Sequence, residues 1–305
     1  MREIRLEKGR LRSACLEHVR AVTAYVRGKT EVYQEELYRA VTMVMPYGKD
    51  FSKCIECDDW GWMAQFLLAD VDKLRELTKK QELLQFDQFV KIYKNRFSAG
   101  ASKYVDEESK YNAYTFVRNL GIRVCPYCDE EYLDVIKMED GRTVRTLELD
   151  HFFPKGQYPA LAMCFFNLVP SGQACNGIKK ENPLGMSPYE AQIETCTYLY
   201  PDLPVGINME QVPVEECKIL FHPVRGMEEN VRTLGLEARY EKYKGKAHKY
   251  LTVKQQYSEE KVEEMVRMGI FPAKDVAYRI LYEEPLVDDG TQQLLGKLKK
   301  DLIGR

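Results

Sequence analysis

The sequence predicts an α+β protein, mainly helical, with a central unit of two strands followed by a short helix. Apolar residues recur at helical spacing through most of the first 120 positions. The period then drops to two between Glu131 and Leu149, on either side of an Asp140-Gly141 turn signal. A loop bearing Pro and Gly and a short helical stretch come next.

The first helix is expected over Leu11–Val26, where Leu11, Cys15, Val19, Val22 and Val26 share a face and Gly28 follows as a stop. Glu31–Met45 is a second helix closed by Pro46. Trp60–Leu77, Glu82–Phe97 and Glu107–Leu120 continue the pattern, the last ended by Gly121. Residues 131–138 and 143–149 alternate as two antiparallel strands of one hairpin. Short helical stretches are expected near Ala160–Phe165 and Cys175–Lys180. Further on, Ser187–Cys196 reads as a helix opened by Ser187 and Pro188, Pro201–Pro213 as loop, and Glu237–Tyr250 and Ser258–Met268 as helices. This divides the chain into a helical region over 1–110, a strand-bearing core over 111–186 and a mixed, mainly helical region over 187–305.

Composition narrows the function classes. The 305 residues are 45% hydrophobic and 30% charged, which excludes a disordered chain. No apolar run approaches the roughly 18 residues of a membrane helix. The charged start, MREIRLEKGRLR, has no signal-peptide core. Nine cysteines in such a chain read as reduced thiols, some open to a metal, and a cytoplasmic location is expected. Four histidines, His18, His151, His222 and His248, argue against a multi-histidine catalytic metal site. His18 and His248 fall within helices and read as structural. A net charge of −2 means that any nucleic acid must be met by a local basic surface.

Chemistry concentrates between Cys125 and Asn176. The turn Cys125-Pro126-Tyr127-Cys128 has the spacing that lets two thiolates reach one zinc ion, and Cys175 offers a third. A four-cysteine site would place its last partner three residues before Cys175, where Gly172 stands. The fourth ligand is therefore open among Cys164, His222, a carboxylate and water. Cys54-Ile55-Glu56-Cys57 has the same spacing but nothing near it to complete a site. Asp150-His151 closes the second expected strand. The carboxylate is a hard oxygen ligand suited to Mg²⁺, and the neutral imidazole can take a proton from water near pH 7. Asn167 and Asn176 follow, the latter beside Cys175. From 141 to 185 five Lys or Arg stand against three Asp or Glu, a slight basic excess that includes Arg142 and Arg145.

The segments Leu149-Asp150-His151-Phe152-Phe153-Pro154-Lys155, Phe166-Asn167-Leu168-Val169-Pro170-Ser171 and Cys175-Asn176 resemble the HNH endonuclease family, whose core is a ββα-metal unit. Tyr111-Asn112-Ala113-Tyr114 and Leu220-Phe221-His222-Pro223 are similar to a bacterial subgroup that includes anti-phage nucleases of Septu and retron systems. The resemblance spans about residues 111–225, and Gly172 is its clear departure. It implies that His151 is the general base and that Asp150 and Asn176 hold a catalytic Mg²⁺ or Mn²⁺. It further implies that Asn167 orients His151, and that Cys125, Cys128 and Cys175 hold a structural Zn²⁺. Lys155, Lys179 and Lys180 are the expected phosphate contacts. The products would carry 5′-phosphate and 3′-hydroxyl ends, with DNA the favoured substrate. Two other readings stand beside it: a non-cleaving nucleic-acid or protein-binding scaffold, and an effector subunit silent until a partner ATPase releases it. Tyr33, Tyr38, Trp60 and Trp62 are candidates for such docking.

Overall fold

The computed structural model describes residues 1–83, 86–98, 104–105, 107–140, 143–191, 193–283 and 294–304. It is mainly helical, with three two-stranded antiparallel sheets among the described residues. Before the first strand come α1 (Lys8–Arg27), α2 (Glu31–Val44), α3 (Phe51–Glu56), α4 (Gly61–Leu67), α5 (Val71–Leu77), α6 (Gln88–Ile92) and α7 (Ala113–Leu120). The strands are β1 (Val135–Lys137), β2 (Thr143–Arg145), β3 (Leu147–His151), β4 (Leu168–Gly172), β5 (Thr197–Pro201) and β6 (Ile219–Pro223). Helix α8 (Gln173–Lys179) follows β4, and α9 (Met227–Thr233), α10 (Leu236–Tyr240), α11 (Lys244–Gln256), α12 (Glu259–Arg267), α13 (Lys274–Leu281) and α14 (Gly296–Ile303) follow β6. Among the described residues no helix is long and apolar enough to cross a membrane.

Local chemistry sets most boundaries. The Thr30 side chain accepts from the Tyr33 amide to start α2. Asn112 accepts from the Tyr114 and Thr115 amides to start α7, which therefore begins later than the expected Glu107. That helix ends at Gly121, whose φ of 66° suits a residue without a Cβ. The single helix expected over Trp60–Leu77 is two, because the Asp70 side chain caps the Lys73 amide and restarts the chain as α5. The stretch expected as a helix over Glu82–Phe97 is α6 and a five-residue π turn over Tyr93–Phe97, and positions 84 and 85 lie outside the described residues. Ser187–Cys196 is not a continuous helix either. The Ser187 hydroxyl accepts from the Tyr189 amide in a local turn, and only Ile193–Cys196 winds as a 3₁₀ turn.

The strands depart most from expectation. β1 and β2 do pair around the Asp140 turn, Ile136 opposite Val144. Pairing then breaks at Thr146, whose hydroxyl donates to the Tyr132 carbonyl while accepting from the Asp134 amide. The chain leaves that hairpin, and β3 pairs with β4 across a loop of residues 152–167, His151 opposite Leu168 and Leu147 opposite Gly172. Helix α8 packs on both. The strand–strand–helix unit is therefore β3–β4–α8, and the hairpin β1–β2 stands beside it. Alternating Thr197–Pro201 forms β5 and pairs with β6, a hairpin absent from the sequence reading.

The core runs through the helices and under β3 and β4. Tyr38 and Trp62 are buried in it, edge to face at 5.4 Å. Trp60 and Tyr33 pack against it half-buried. These rings contribute to the helical core, Tyr33 and Trp60 remaining partly exposed. His18 is buried as expected. Its Nδ1 lies 2.9 Å from the Tyr111 hydroxyl and its Nε2 2.7 Å from the Met163 carbonyl.

Candidate active site

Strand β3 ends in a cleft of about 360 Å³, lined by Glu148, Asp150 and His151 from the strand, Lys155 from the following loop, Asn176 and Lys180 from α8 and its exit, and Tyr93. The antiparallel register carries Asp150 and His151 to the loop end of the sheet, and α8 brings Asn176 across from them.

His151 is 3% exposed, and its ring meets Tyr93 edge to face at 4.4 Å. Its Nε2 lies 3.1 Å from the Ala162 carbonyl. A carbonyl only accepts, so Nε2 carries the proton in the neutral ring and Nδ1 holds the lone pair. Nδ1 is buried and has no hydrogen-bond partner among the described residues. Burial, with the nearby Lys155 and Lys179 cations, pushes the His151 pKa down to about 3, so the ring is neutral at physiological pH.

Asp150 is held from two sides. Its Oδ2 accepts from the Tyr127 hydroxyl at 2.7 Å. Lys179 Nζ lies 3.2 Å from Oδ1 and 3.1 Å from Oδ2, and also donates to the His151 carbonyl at 2.8 Å. Lys179 is 0% exposed. This corrects its assignment as a phosphate contact: the ammonium is used inside the protein to neutralise a buried carboxylate. Lys155 and Lys180 do line the cleft, and Lys155 Nζ lies over the Tyr93 ring at 5.4 Å. Arg142 lies outside the described residues, as does the Arg145 side chain.

Asn167 is also corrected. It makes no hydrogen bond to His151. Its Oδ1 accepts from the Phe153 amide at 2.7 Å, and its Nδ2 donates to the Leu161 and Phe153 carbonyls at 2.9 and 3.2 Å. It ties the 152–167 loop together, and the loop's Ala162 carbonyl then sets the imidazole. Its influence on His151 is through the backbone.

Behind the sheet, Cys125, Cys128 and Cys175 are buried with their sulfurs within 4.8 Å of one another, a group that could hold a metal ion. Backbone bonds from Cys125 N to Glu131 O and from Asp129 N to Cys125 O fold the turn tightly. Helix α10 closes over it: the Tyr240 hydroxyl donates to the Cys128 carbonyl, and Arg239 donates to Cys175 Sγ at 3.1 Å and to Glu131 at 2.8 Å, and also pairs with Glu130. Cys164 is elsewhere, donating to the Phe66 carbonyl, and His222 is exposed on β6. Neither belongs to the group. Cys54 and Cys57 stand on or after α3 outside any metal-binding group among the described residues.

Sequence reasoning missed Tyr93, Tyr127, Glu131, Arg239 and the role of Lys179. For Lys179 a signal existed: it lies four residues after Cys175 on one helix, so a buried Cys175 implies a buried Lys179. Compared with protein-family models, with curated proteins and with solved structures, the chain finds no significant match in any of the three.

Proposed function

We propose that this chain is a metal-dependent HNH-type endonuclease that hydrolyses phosphodiester bonds, DNA being the favoured substrate. The observation that supports it best is the convergence of Asp150, His151 and Asn176 on one cleft, His151 keeping a buried Nδ1 without a hydrogen-bond partner among the described residues.

In this reading Nδ1 takes the proton of the attacking water. The Ala162 carbonyl fixes the tautomer, and the ring becomes imidazolium as the water adds to phosphorus. A pKa near 3 makes the resting ring a weak base. The negative charge of a phosphodiester entering the cleft favours the imidazolium and raises the pKa of the ring. Lys155 and Lys180 contact the backbone phosphates. Asp150 and Asn176 would hold the Mg²⁺ or Mn²⁺. The donor set fits a hard cation that keeps waters and takes one carboxylate plus substrate oxygens, since a carboxylate has about four lone-pair sites and Lys179 and Tyr127 leave capacity. The bound cation supplies charge stabilisation at the scissile phosphate and the departing 3′ oxygen. In the cysteine group the proposed metal is Zn²⁺, for which buried sulfur donors are the preferred chemistry. It would fasten Tyr127, which lies between two of its ligands, against Asp150. A role in anti-phage defence and release by a partner ATPase extend the same reading.

The test is cleavage of supercoiled plasmid by the purified chain with Mg²⁺ or Mn²⁺. Nicking or linearisation is expected with metal and none with EDTA, and His151→Ala should cut about 10²–10⁴-fold more slowly while remaining folded by circular dichroism. Equal cutting in EDTA, or by the variant, would remove the assignment.

A further inference from the structure

We infer that Glu131 is the fourth ligand of the cysteine metal site, making it a three-thiolate, one-carboxylate centre. This rests on the reading of the cysteine group as a zinc site. A Cβ placed on Gly172 would lie 2.0 Å from Glu131 Oε2, 2.5 Å from its Cδ and 3.1 Å from its Cβ. The Glu131 carboxylate thus fills the space in which a side chain at 172 would stand, the position where a fourth cysteine is missing. A side chain at 172 would require the Glu131 carboxylate to move aside.

Cys128 belongs to two groups of neighbouring donors, one with Cys125 and Cys175 and one with Glu130 and Glu131, so Glu131 adjoins the sulfur group through Cys128 and would complete it by turning its carboxylate inward as the ion binds. Glu131 Oε1 lies 3.8 Å from Cys128 Sγ. A tetrahedral zinc, with bonds of about 2.3 Å to sulfur and about 2.0–2.2 Å to oxygen, sets its ligand atoms about 3.5–3.8 Å apart. Cys128 and Glu131 are also bound in one turn, closed by the Cys125 N to Glu131 O bond, and the Cys128 thiol donates to the Glu131 carboxylate. Three thiolates and a carboxylate around a divalent ion leave excess negative charge. Arg239, which touches both Cys175 Sγ and Glu131 Oε1, supplies the compensating cation as an outer partner.

The experiment uses the full chain, stripped of metal and titrated with Co²⁺, read by its visible d–d bands and its near-ultraviolet sulfur-to-cobalt charge-transfer band. Wild type should bind one Co²⁺ with tetrahedral bands and three-thiolate charge-transfer intensity. Glu131→Ala should bind at least about tenfold more weakly with shifted visible bands. The double variant Glu131→Ala with Gly172→Cys should regain tight binding, with charge-transfer intensity raised by about one third as a fourth thiolate joins. Unchanged affinity and visible bands in Glu131→Ala would overturn the Glu131 assignment and leave the zinc reading standing. No Co²⁺ or Zn²⁺ uptake by wild type would overturn both.

Discussion

Lys179 sits at the junction of stability and chemistry. Its ammonium is fully buried against Asp150 and the His151 carbonyl, so it holds in place the carboxylate that the catalytic reading assigns to a metal. Removing one member of a buried ion pair leaves the other charged and unsolvated. Lys179→Met should therefore cost about 3–5 kcal/mol in urea unfolding, whereas exposed Lys180→Met should stay within about 0.5 kcal/mol. Equal costs would show that Lys179 is not the internal counter-ion. The two adjacent lysines could not be told apart from composition. The difference is the side of α8 on which each falls.

At the scale of elements, capping residues decide where helices stop, and pairing partners decide which strands form the site. Periodicity alone runs through Ala69 and Asp70 without a break, yet the Asp70 carboxylate accepts the Lys73 amide at 2.8 Å and divides the stretch. Asp70→Ala should destabilise the chain by about 1 kcal/mol, seen as a lower midpoint in chemical denaturation at unchanged slope. The β1–β2 hairpin was legible because its turn signal and alternation are local. The pairing of β3 with β4 was not, because the partner lies beyond a loop of residues 152–167 and the closing interactions are those of Asn167 within that loop. Of the signature residues, Asn167 serves the loop and not the imidazole. Asp150 and His151 remain at a strand end, and Asn176 remains on the next helix, whichever strand completes the sheet.

The whole molecule responds to pH through its buried histidines. His18 and His151 are held neutral, burial pushing the first to about 4 and the second to about 3. The unfolded chain takes up these protons near pH 6.5 and the folded chain does not, so their stabilisation is complete above about pH 6.5 and is lost as pH falls toward 4 and 3. By pH 5 that loss is about 2 kcal/mol for each ring. Asp129 opposes it. Burial raises its carboxyl to about 6, so the folded state takes this proton first and regains about 1.4 kcal/mol over the same span. The net expectation is a loss of about 3 kcal/mol between pH 7 and pH 5, measured by urea titrations at the two values. A chain equally stable at both would mean that the two rings are not neutral and enclosed as described.

What the sequence determined by itself is the set of chemical groups and their local order: a CxxC turn, an Asp-His strand end, and a Cys-Asn pair opening a helix. These are short-range features, and chain geometry over a few residues is enough to specify them. The tertiary structure decided which nitrogen of His151 bears the proton, which lysine is internal, and which carboxylate fills the gap at Gly172. Each of those is settled by a contact between residues distant in the chain. Their physical basis is burial, since a charge or lone pair removed from water must find its partner among whatever groups the packing brings beside it.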